Sequence, residues 1–267
     1  MYRGYQIISL KKESIVSSRH GRYRIDDSFE LLGVGERLAK DYKDTFDRTL
    51  AALSECKDGL IDGAKLADLW FPRIEAEIFI SHSHADAELA TLFAGRLKRD
   101  LGITCFVDSN VWGYRDKLID LLVQFCKYDE DSAYKGVIKT AAHVDCMLNK
   151  AIAQMMDACE CLFFLNTPNS VSFAEASNAK TYSPWLATEL AIYKIIQKRP
   201  HDAKPVLEIA NEQYSPASGY KVYHDLRFDK VYRLTSDKLL GWIQKSHARG
   251  ASKYAALSEL FAATLRS

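Results

Sequence analysis

Three short apolar runs, each followed by a segment with helical spacing, constrain this chain more than any other feature. The runs are residues 78–80 (IFI), 103–107 (ITCFV) and 161–165 (CLFFL). None alternates strictly between polar and apolar residues, so each reads as a strand buried on both faces. After the first run, Leu89, Leu92, Phe93 and Leu97 mark one face of a helix over residues 88–101, and Gly102 stops it. A polar insertion over about residues 114–140 and a helix over 144–158 separate the second run from the third. The third run closes in NTPNS, and SPWLATELAIYKII follows as the next helix, ended by Lys198, Arg199 and Pro200. Residues 204–209, 221–223 and 230–234 suit further strands, and residues 236–244 begin a late helix. Apolar strands alternating with helices imply a parallel sheet covered on both faces. Right-handed crossovers make it a flavodoxin-like, doubly wound α/β sandwich.

Residues 1–75 have a different character. Leu38, Tyr42, Phe46, Leu50 and Leu53 recur at spacings of three and four, which predicts amphipathic helices and a helical N-terminal extension. The main domain is then expected over residues 76–267. Gly33 and Gly35 form a lone G-x-G with neither a preceding strand nor a third glycine, so no nucleotide loop is expected there.

Charge and composition narrow the function. A net charge of +1 over 267 residues, with no strongly basic window, gives no footprint for nucleic acid or a membrane surface. The apolar runs are too short to cross a bilayer. The start, MYRGYQIISLKK, lacks the cleavage site of a secretory leader, so a cytoplasmic chain is expected. Cys56, Cys105, Cys126, Cys146, Cys159 and Cys161 are scattered among apolar neighbours and read as buried free thiols. The Cys159–Cys161 pair has no second pair to complete a metal site.

In a doubly wound sheet, ligands bind outside the carboxyl ends of the strands. Topology brings three segments to that edge: Ser81-His82-Ser83-His84 after the first run, Asp108 to Trp112 after the second, and the helix start at Ser183 after the third. Ser183 suits an N-cap and Pro184 the first helical position. Trp185 and Glu189, four apart, share a face beside the apolar stripe of Leu186, Leu190 and Tyr193. Spacing leaves Glu189 open between a surface carboxylate favoured by the helix dipole and a residue of the cleft. His82-x-His84, followed by Asp86, has the form of a metal-ligand pair. The remaining histidines, such as His143 and His201, supply no partners, so loop polar groups are the expected reading and no metal is assigned.

Taken together and in order, FISHSHAD, FVDSNVWG, CLFFLNTPNSV and SPWLATEL resemble the Toll/interleukin-1 receptor (TIR) domain in a bacterial form, over about residues 75–245. The resemblance implies an NAD-consuming enzyme that cleaves the nicotinamide–ribose bond, with NAD as substrate and no other cofactor. Its product would be ADP-ribose or a cyclic or conjugated ADP-ribose signal, as in antiphage defence of the Thoeris type, where a separate effector protein reads the signal. The family's W-x-x-x-E pattern matches Trp185 and Glu189, which implies Glu189 as the catalytic carboxylate. Trp185 or Trp112 would stack on a flat ring. Asp108 would hold a ribose hydroxyl or its own loop, and Ser81, His82, Ser83, His84 and Ser183 would line the substrate site. The arginine expected for the pyrophosphate is missing from the first loop. Other members of the family are adaptors without activity, which keeps open a signalling module acting through TIR–TIR self-association.

Overall fold

A computed structural model describes residues 3–16, 25–36, 47–51, 53, 61–111, 115–126, 133–171, 173–175, 178–196, 224–226, 228 and 231–264. At its centre lie five parallel strands: β1 (Arg3–Ile8), β2 (Ile78–Ser81), β3 (Cys105–Phe106), β4 (Cys161–Asn166) and, numbered in chain order, β8 (Tyr232–Thr235). They are arranged β3-β2-β4-β1-β8. Apart from β1, the strands follow the flavodoxin-like order, and β1 occupies its fourth place.

Strand β1 corrects the expected domain division. Residues 3–8, expected within a helical N-terminal extension, form a strand of the central sheet instead: RGYQII pairs in parallel register with β4 on one side and β8 on the other. Its side chains alternate between the two layers. Tyr5 and Ile7 enter the core beneath helices α1 (Lys12–Val16), α2 (Ile25–Glu36) and α4 (Ala87–Leu101), whereas Gly4 faces the opposite layer. Helix α3 (Gly63–Trp70) packs on that opposite layer through Leu66 and Trp70.

The same alternation runs through the other strands. Ile78, Ile80, Cys105, Cys161, Phe163 and Leu165 face α4 and its neighbours. Phe79, Phe106, Leu162 and Phe164 face the layer of α6 (Arg115–Cys126), α7 (Ala133–Ala158) and α8 (Pro184–Ile195). Each large side chain buried this way contributes about 1.5–3 kcal/mol. With both faces covered, continuous apolar strands are required.

Several boundaries differ from those expected. The run at 103–107 forms a ladder only over Cys105–Phe106, since this edge strand has β2 alone to pair with. Part of the expected insertion at 114–140 is helical: α6 presents Leu118, Ile119, Leu121 and Leu122 to the core, and α7 begins at Ala133. Strands β5 (Phe173–Glu175) and β6 (Asn178–Thr181), between β4 and α8 in the chain, form a small antiparallel sheet with β7 (His224–Leu226), which follows α8. The strands expected at 204–209 and 221–223 lie outside the described residues. The late helix is α9 (Ser236–Ala248), and α10 (Lys253–Thr264) follows it.

Helix α10 is tied to β1. The Arg3 guanidinium donates to the Phe261 carbonyl and, at 2.8 Å, to Thr264 Oγ1. At the other end of the sheet's amino edge, Lys253 donates to Glu77, whose second oxygen accepts the Thr104 amide. Of the cysteines, Cys105, Cys159 and Cys161 are buried free thiols, and burial pushes all three upward in pKa. Cys126 and Cys146 are exposed, contrary to expectation, because they lie on the solvent sides of α6 and α7. Among the described residues, no helix is long and apolar enough to cross a membrane.

Helices α2 and α4 cross closely at Gly95, where an added methyl would lie 2.0 Å from the Leu31 carbonyl oxygen. Backbone cannot yield there as a flexible side chain would. Gly95→Ala is therefore expected to destabilise the fold by about 1–3 kcal/mol in chemical denaturation. An unchanged midpoint would mean that α2 does not dock on α4 as described.

Candidate functional site

The carboxyl edge of β2 and β4 is where the strand order reverses, and its chemistry starts from the pleat of β2. Phe79 faces the α7 and α8 layer, so Ser81, two residues on, faces it too. Ser81 is the polar end of an apolar row. Its hydroxyl donates to Glu189 Oε2 at 2.5 Å.

Helix α8 brings Glu189 to meet it. Ser183 caps the helix by accepting from the Leu186 amide at 3.3 Å, and Pro184 occupies the first turn, as the sequence indicates. Strand β6 delivers the chain into this cap, with the Ser183 amide donating to Thr181 Oγ1 at 3.1 Å. Glu189 does not sit beside the apolar stripe but within it, between Leu186 and Tyr193 on the buried face. Tyr193 reaches β1, where it bonds to the Gly4 backbone. A side chain at Gly4 would collide with its ring, the added carbon lying 2.5 Å from Tyr193 Cζ.

Glu189 is 3% exposed, so it is not the surface carboxylate that its early position in the helix also allowed. Burial pushes its carboxyl well above the ordinary glutamate range, and the negative charge of Asp108 adds to the rise. The Ser81 hydrogen bond pulls the other way and is outweighed. The site therefore holds a carboxylic acid that keeps its proton at pH values where exposed glutamates are ionised.

Asp108 opens the short helix α5 (Asp108–Val111) directly after β3, and its Oδ1 accepts the Ser109 amide at 2.7 Å. The buried His82 ring joins the two loops. Its Nδ1 lies 3.3 Å from the Ile80 carbonyl and 3.6 Å from Asp108 Oδ1, and its Nε2 lies 3.1 Å from Ser109 Oγ. With a proton on Nδ1 the ring donates to the carbonyl, which leaves Nε2 to accept the Ser109 hydroxyl.

The remaining expected residues divide. Ser83 is buried and donates to Asp86 at 2.9 Å. His84 is exposed at the start of a 3-10 turn and does not join His82. No group of metal-ligating side chains occurs among the described residues. Trp185 is half-buried against the core of the α8 layer. The Ser183 hydroxyl is occupied in capping. Trp112 lies outside the described residues.

Sequence reasoning passed over the residues after β4. Thr167 Oγ1 donates to Asp86 Oδ2 at 2.6 Å and Asn169 Nδ2 to Asp86 Oδ1 at 2.8 Å. The only signal for them was the T-x-x-S spacing in NTPNS, which suits a side-chain-stabilised turn after a strand. A groove of about 420 Å³ also opens between Leu50, Leu53 and α6, but none of its lining residues belongs to this edge.

The class that fold and site define is a parallel α/β sandwich with a buried, protonated glutamate at its switch point. Comparison with protein-family models, with curated proteins and with solved structures returns no match.

The buried acid sets the sign of a pH effect. Folded chains retain the Glu189 proton above the ordinary value of 4.5, while unfolded chains release it, so the folded state binds more protons. Its contribution to stability is therefore lost as pH rises from that value toward the folded one. Glu189→Gln, permanently neutral, is expected to melt close to wild type at about pH 4 and increasingly above it as pH rises through the neutral range. A constant difference across that range would rule out a protonated Glu189.

Proposed function

We propose that the chain is an NAD-consuming enzyme of the TIR type, cleaving the bond between nicotinamide and ribose with Glu189 as the catalytic carboxylate. The observation that carries this reading is the buried carboxyl of Glu189 at the switch-point edge, between Ser81 and the Asp108 loop, one turn beyond Trp185. The four ordered motifs support the family assignment, and the strand order is compatible with it.

The chemistry suits one acid. Nicotinamide in NAD is a cation, so it departs neutral with the electron pair of the C1′–N bond and needs no general acid. Positive charge then develops on the ribose C1′ and its ring oxygen. A carboxylate stabilises that charge, and it does so more strongly where water is excluded. Glu189 must release its proton to act, and the approach of a cationic ring favours that release. Asp108 adds negative potential on the same side. Ser81, donating to Glu189, fixes the orientation of the carboxyl. Attack by water at C1′, with loss of its proton, gives ADP-ribose; attack by another nucleophile gives a cyclic or conjugated product, suited to a signal read by a separate effector in antiphage defence.

One observation favours the other reading, a signalling module that works through TIR–TIR contacts. At 3% exposure, Glu189 has its carboxyl covered in this conformation, as a purely structural acid would. Variant kinetics separate the two. In the full chain, alone or in phage-infected cells, Glu189→Gln is expected to lower nicotinamide release from NAD by at least about a hundredfold. Wild-type release should rise with pH through a range above that of ordinary glutamates, because the carboxylate is the working form. Unchanged release in the variant would sink the catalytic assignment, and signalling retained by the variant would support the adaptor reading.

A further inference from the structure

Asp86 stands at the N-cap of α4, yet its side chain makes no capping hydrogen bond. An aspartate in that place ordinarily accepts from the amides of its own helix. Here the carboxylate is turned across the crevice and is only 7% exposed. Oδ2 accepts from Ser83 Oγ at 2.9 Å and from Thr167 Oγ1 at 2.6 Å, and Oδ1 accepts from Asn169 Nδ2 at 2.8 Å.

Those donors are themselves anchored. Thr167 Oγ1 accepts the amides of Asn169 and Ser170, each at 3.2 Å. Ser170 Oγ accepts the Thr167 amide at 2.9 Å and donates to the Leu165 carbonyl at 2.8 Å. The network thus runs from the β4 backbone, through the Asp86 carboxylate, to Ser83 in the loop after β2.

Its position explains its use. The backbone ladder between β2 and β4 ends at the pair Ser81 and Phe164. Beyond that pair no ladder joins the two chains, and the crevice would be free to widen. A carboxylate with its oxygens filled by protein donors is not available to a ligand, but it holds charge-assisted hydrogen bonds on both lips. We infer that Asp86 is a positioning residue that clamps the loop leaving β2 to the loop leaving β4, and so holds Ser81 and His82 in place opposite Glu189. Its effect on turnover rests on the reading of this edge as the NAD site; the clamp itself does not.

Hydrogen exchange and kinetics on the full chain test both parts. In Asp86→Ala, peptides covering 81–86 and 166–171 are expected to exchange together, about tenfold or more faster, while peptides from β1 and α9 stay protected. Thr167→Val, a smaller change, should loosen the same pair of loops. NAD cleavage by both variants should weaken chiefly through a higher KM, whereas Glu189→Gln should lose kcat without faster exchange in either loop. Acceleration confined to 81–86, or spread evenly over the core, would overturn the clamp. Absence of NAD cleavage by wild type would instead remove the enzymatic reading, with the exchange result still deciding the role of Asp86.

Discussion

The hydrogen bond from Ser81 to Glu189 joins the end of a central strand to a helix of the covering layer, and the arrangement of the edge depends on it. It exists because the pleat of β2 puts a small polar residue on the same side as Phe79, at the point where the strand runs out. It also requires α8 to lie close, which Gly4 permits by leaving room for the Tyr193 ring on β1. A carboxyl inserted into an otherwise apolar stripe is costly unless it stays neutral or finds donors. Glu189 does both, retaining its proton and accepting from Ser81.

A different solution serves Asp86, five residues beyond Ser81 in the chain. That carboxylate keeps hydrogen-bond donors on both oxygens and ties separate loops together. Two acids at one edge thus have contrasting surroundings: Glu189 is pushed toward the neutral form with Ser81 as its donor, and Asp86 accepts from Ser83, Thr167 and Asn169. Paired carboxyl groups in unlike environments are how a single site assigns unlike roles to the same functional group.

Much of this edge was legible in the residues. Continuous apolar runs identified β2 and β4, and Ser183-Pro184 marked the start of α8 to the residue. Topology then brought Ser81, His82, Asp108 and Glu189 together. The N-terminal strand was not legible, because RGYQII is short, opens on Arg3 and Gly4, and is followed by segments with helical spacing. A parallel strand takes its partners from distant sequence, Cys161 to Asn166 and Tyr232 to Thr235, and local pattern does not reveal them. The small antiparallel sheet escaped for the same reason, its segments FAE and NAKT having no apolar signature. The Asp86 network was hidden because its members are ordinary turn residues whose partners lie 81 to 83 positions apart.

In the proposed reading, Glu189 is a protonated acid at the switch point that ionises against a cationic nicotinamide. Carbon-13 NMR of side-chain-labelled glutamates in the full chain, with Glu189→Gln to assign the signal, measures this directly. The Glu189 carboxyl should stay protonated while exposed glutamates titrate, and should move toward the carboxylate when NAD is added. A Glu189 signal that titrates with the exposed glutamates, and does not respond to NAD, would contradict the account.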